Sequence, residues 1–60
     1  MRVVIIEDTP DLATYLSEML TLAGDEPVVV SSDFERLLSI EFWDGVGGAL
    51  IDLLLGGANI

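Results

Sequence analysis

Cysteine, histidine and lysine are all missing from this sequence of sixty residues. Without cysteine no disulfide can staple a small fold. Without cysteine or histidine the common zinc and haem sites are excluded, as are Ser-His and Cys-His nucleophile pairs. The chemistry left to the chain is that of carboxylates. Positive charge is scarce as well: Arg2 and Arg36 stand against eleven acidic residues, for a formal charge of −9. Such a chain has no basic face with which to neutralise the phosphates of nucleic acid or of anionic lipid, so direct nucleic-acid binding is not expected. Long hydrophobic runs are lacking too. Met1-Arg2-Val3-Val4-Ile5-Ile6-Glu7 holds too few apolar residues for a signal-peptide core. The apolar stretch from Val46 to Ile60 is broken by Asp52 and falls short of the roughly 20 residues that span a bilayer. These features lead us to expect a cytoplasmic chain with no membrane partner.

What is present favours packing: 52% of the residues are hydrophobic and only 22% are charged, the balance of a chain that buries a core. Sixty residues make one domain at most, and folding at this size hides only about 60% of the unfolded surface. Val3-Val4-Ile5-Ile6 is a β-branched run with no polar alternation, which predicts a strand covered on both faces, as in a parallel sheet. Its end delivers Glu7 and Asp8. Thr9-Pro10-Asp11 predicts a helix start, with Thr9 as cap, Pro10 in the first turn and Asp11 at the positive end of the dipole. Leu12, Tyr15, Leu16, Met19, Leu20 and Ala23 recur at helical spacing as one apolar face, and Gly24 is the expected stop.

Val28-Val29-Val30 after Pro27 predicts a second strand. Ser32, followed three residues later by Glu35, has the pattern of a capping box and predicts a second helix whose buried stripe is Phe34, Leu37 and Leu38. Tyr15, Met19, Phe34 and Leu37 are expected in the core. Beyond Ile40 the helical pattern fades into a loop through Trp43-Asp44-Gly45, with Trp43 folded over the sheet. Asp25, Glu41 and Asp44 are expected in solvent. A third strand is predicted over Gly48 to Asp52, after which Leu53-Leu54-Leu55-Gly56-Gly57 turns away.

Strand, helix, strand, helix, strand with right-handed crossovers gives an α/β fold with a parallel sheet ordered 2-1-3. If the winding reverses between the first and third strands, the crevice at their C-terminal ends is a switch point where such sheets bind ligands. Glu7, Asp8 and Asp52 would converge there. Three like charges at that spacing favour either a retained proton or a bound cation. Oxygen ligands without His or Cys suit Mg²⁺, Mn²⁺ or Ca²⁺, and the small number of carboxylates suits Mg²⁺. A carboxylate beside such an ion can act as a nucleophile towards phosphorus. Taken singly, Glu7-Asp8 also fits a solvated turn at a helix N-terminus. Asp52 interrupts an apolar run at a cost, which favours a site.

These residues resemble the receiver domain of two-component response regulators. The likeness rests on the strand ending in Glu7-Asp8, the helix ending at Gly24, the strand Val28-Val29-Val30-Ser31 and the stretch Ala49-Leu50-Ile51-Asp52-Leu53. It covers nearly the whole chain, 1–60, but only the first half of that family's flavodoxin-like, doubly wound domain, ending before the third helix. The resemblance implies that Asp52 is the phosphoacceptor. It further implies that Asp8 is a direct Mg²⁺ ligand, that Glu7 acts on the metal through water, and that the main-chain carbonyl of Leu54 is another ligand. Partners would be a histidine kinase or phosphotransfer protein and an output domain or partner protein. The domain would act as a phosphoacceptor and not as an enzyme in its own right. Leu55-Gly56-Gly57 stands where many receivers have Met-Pro, and similar Leu-Gly loops occur in a receiver subgroup.

That family's hydroxyl and lysine would lie past Ile60, so a truncated chain or a fragment of a longer one is expected. A third strand left at the edge would then expose Ala49-Leu50-Ile51, and self-association through it is expected. Two alternatives remain. One is a pseudo-receiver that keeps fold and acids as an interaction domain. The other is a metal-dependent phosphotransferase or hydrolase of another α/β class, weakened by the absence of an Asp-x-Asp pair at Asp52 and of a glycine-rich phosphate loop after the first strand.

Overall fold

The structure is a computed structural model that describes residues 1–52. The β-branched run forms the body of β1 (Arg2–Ile6), and Val3, Val4, Ile5 and Ile6 are all buried. Each such side chain contributes roughly 1.5–3 kcal/mol relative to exposure, so β1 is the main source of hydrophobic stability. Parallel strands flank it, β2 (Glu26–Val30) on one side and β3 (Val46–Ile51) on the other, in the expected order 2-1-3. The registers set Ile6 opposite both Val30 and Ile51, which aligns the C-terminal ends of all three strands.

β3 starts two residues earlier than expected, and it stops one residue before Asp52. Its early start contains a bulge: Arg2 pairs with Val46 but Val3 pairs with Gly48, leaving Gly47 as the extra residue. A Cβ on Gly47 would lie 2.7 Å from the Met1 sulfur and 2.9 Å from the Met1 Cβ, so any larger residue there would have to displace the Met1 side chain.

α1 (Pro10–Leu22) begins as expected, with Thr9 at the cap in extended conformation and Pro10 in the first turn, although the Thr9 hydroxyl makes no capping hydrogen bond. Gly24 ends it at φ 89°, in the left-handed region that glycine tolerates. The helix packs on β1 and β2. Its covered stripe is narrower than expected and centred elsewhere: Ala13 is buried, with Leu16, Ser17 and Leu20 half-buried. Small side chains at Ala13 and Ser17 occupy this sheet-facing stripe. Tyr15 is 57% exposed and Met19 51%, and Leu12 and Ala23 are also exposed, so these four leave the expected core face. The apolar arc of α1 is wider than the surface that two strands cover.

The expected second helix does not form. Two short 3₁₀ segments, Phe34–Leu38 and Ile40–Trp43, replace it. The capping box of Ser32 and Glu35 is not made; Asp33 holds the cap position at φ 53°, with no side-chain capping bond. Ser39 is extended at φ −87°, ψ 127°, which breaks the run before a longer helix can build. Packing on the sheet decides this region instead of local capping. Leu37, Phe42, Trp43 and Val46 lie against Val4, Ile6, Val28 and Val30. The Trp43 indole N–H donates to the Leu37 carbonyl at 2.8 Å, and the Phe42 and Trp43 rings meet edge to face at 5.2 Å. Leu37 thus joins the core as expected and Trp43 folds over the sheet. Phe34 and Leu38 are exposed, contrary to expectation.

By strand alternation Val4 and Ile6 face these segments while Val3 and Ile5 face the α1 side. Asp25, expected in solvent, accepts a hydrogen bond from the N-terminal ammonium at 2.9 Å. No helix among the described residues is long and apolar enough to cross a membrane. The expected turn over Leu53 to Gly57, including Leu54, lies outside the described residues.

Candidate functional site

Two backbone hydrogen bonds fix the C-terminal rim of the sheet. Glu7 N–H donates to the Val30 carbonyl at 3.2 Å, and Asp52 N–H donates to the Ile6 carbonyl at 2.9 Å. The first ties the end of β1 to β2; the second carries the ladder one step beyond β3. Asp52 is therefore held beside the acidic pair that follows β1. One carboxylate oxygen from each of Glu7, Asp8 and Asp52 lies within 4.8 Å of the others. All three acids singled out in the sequence meet, while Leu54 is outside the described residues.

Their environments differ. Glu7 is 3% exposed, whereas Asp8 and Asp52 are half-buried. Glu7 Oε1 accepts the Thr9 backbone N–H at 3.0 Å, so this carboxylate also braces the turn from β1 into α1. That second function was not read from the sequence. The available sign was an acid two residues before a Thr-Pro helix start, a spacing that lets a side chain reach back to a helix-entry amide.

The acids straddle two clefts. Glu7 and Asp52 line one of about 510 Å³, whose apolar wall includes Leu12, Leu16 and Leu50. Asp8 lines another of about 420 Å³ between α1 and β2, with Thr14 and Ser31. Arg2 lies at the opposite end of β1 beside Glu26, 3.4 Å away. Arg36 sits over the Phe42 ring, 5.1 Å from its centroid.

Two unit charges about 4 Å apart repel by about 1 kcal/mol in bulk water and about 4 kcal/mol near a protein surface. The trio is thus unfavourable as a set of bare anions. An all-oxygen donor set at this spacing fits a hard divalent cation, and the residues that could hold it are Glu7, Asp8 and Asp52. Comparison of the chain with family models, with curated proteins and with solved structures gives no match in any of the three. Among the described residues, fold and site together define an α/β arrangement with a three-stranded parallel sheet, one α-helix and an acidic rim where β1 and β3 end.

Proposed function

We propose that this chain is a receiver-type phosphoacceptor module of two-component signalling, in which Asp52 takes a phosphoryl group from a histidine kinase or phosphotransfer protein and relays the change to an output partner. The observation that carries this reading is the meeting of Asp52 with Glu7 and Asp8 at one end of a parallel sheet ordered 2-1-3. Glu7, Asp8 and Asp52 would hold Mg²⁺, with Leu54 as a further main-chain ligand. When bound, the ion supplies positive charge that offsets the oxygens of an incoming phosphoryl group.

The protein's own residues do the rest. Asp52 presents a carboxylate oxygen as nucleophile to phosphorus; a P–O bond forms as the bond to the donor breaks. Asp8 is placed by the turn after β1, and that turn is braced by the Glu7 carboxylate on the Thr9 amide. Such a module works in the cytoplasm and acts as an acceptor within another protein's reaction. A second reading, a pseudo-receiver that uses the same fold for protein interaction, draws support from the structural bond that Glu7 makes.

Incubation with a small phosphodonor and Mg²⁺, followed by intact-mass measurement in acid, separates the two. The expected outcome is a gain of one phosphoryl group by the native chain and none by Asp52→Asn. No gain by the native chain, or an equal gain by the variant, would leave the interaction domain.

A further inference from the structure

We draw no further inference here: the strongest candidate, the cleft between α1 and β2 lined by Asp8, Thr14, Ser17, Glu18 and Ser31, belongs through Asp8 to the acidic rim already described, and nothing in the structure shows what occupies it.

Discussion

Glu7 is the buried ionisable residue among those described, and its burial is tolerable because its carboxylate accepts a backbone N–H within the same turn. Removing one partner of such a bond exposes the other to the full cost of desolvation. Glu7→Ala is accordingly expected to destabilise the fold by about 1–3 kcal/mol, seen as a lower urea midpoint. Glu7→Gln keeps an acceptor oxygen for Thr9 while removing one of three neighbouring negative charges, so its loss should be clearly smaller. If the two variants lose stability equally, the bond to Thr9 is not what holds this turn. The three acids themselves were legible in the sequence because each sits at the end of an apolar run, where a parallel sheet gathers strand ends. The bond from Thr9 was not, since it depends on how the chain turns into α1.

At the scale of elements, legibility followed the number of neighbours that shape each segment. β1 could be read because burial on both faces leaves no room for polar alternation, and α1 could be bounded because Thr9-Pro10 and Gly24 act through their own backbones. Which arc of α1 is covered depends on what lies beneath it, and periodicity alone could not place Tyr15 and Met19 outside the contact. The stretch after Ser32 was misread for the opposite reason: a local capping pattern was outweighed by the packing of Leu37, Phe42 and Trp43 on the sheet. The terminator of α1 gives a clean test. Gly24 has φ 89°, and a Cβ built there meets nothing within 4 Å, so the penalty of substitution is purely conformational. Gly24→Ala is expected to cost roughly 1–2 kcal/mol, read from the thermal or urea midpoint, without change in the helical signal of the folded state. A neutral effect would mean that the helix end shifts to avoid the strain.

For the molecule as a whole, eleven acids in sixty residues set two electrostatic effects of different range against folding. One is diffuse: a compact chain of charge −9 repels itself, and added salt screens that repulsion over a Debye length of about 10 Å at 0.1 M. The other is local, because Glu7, Asp8 and Asp52 bring oxygens within 4.8 Å, a distance over which simple screening by monovalent ions does little. The two can be separated by comparing salts at equal ionic strength. NaCl should raise the thermal midpoint of the native chain and of Asp8→Asn alike, since both retain most of the diffuse charge. MgCl₂ should raise the native midpoint further than NaCl does, because a ligand that binds only the folded state stabilises it by mass action. In Asp8→Asn, which relieves one repulsion and removes one oxygen anion from the trio, the midpoint without divalent ion should rise while the advantage of MgCl₂ over NaCl shrinks. An advantage of equal size in both chains would place the divalent effect in the diffuse charge and remove the acidic rim as its origin.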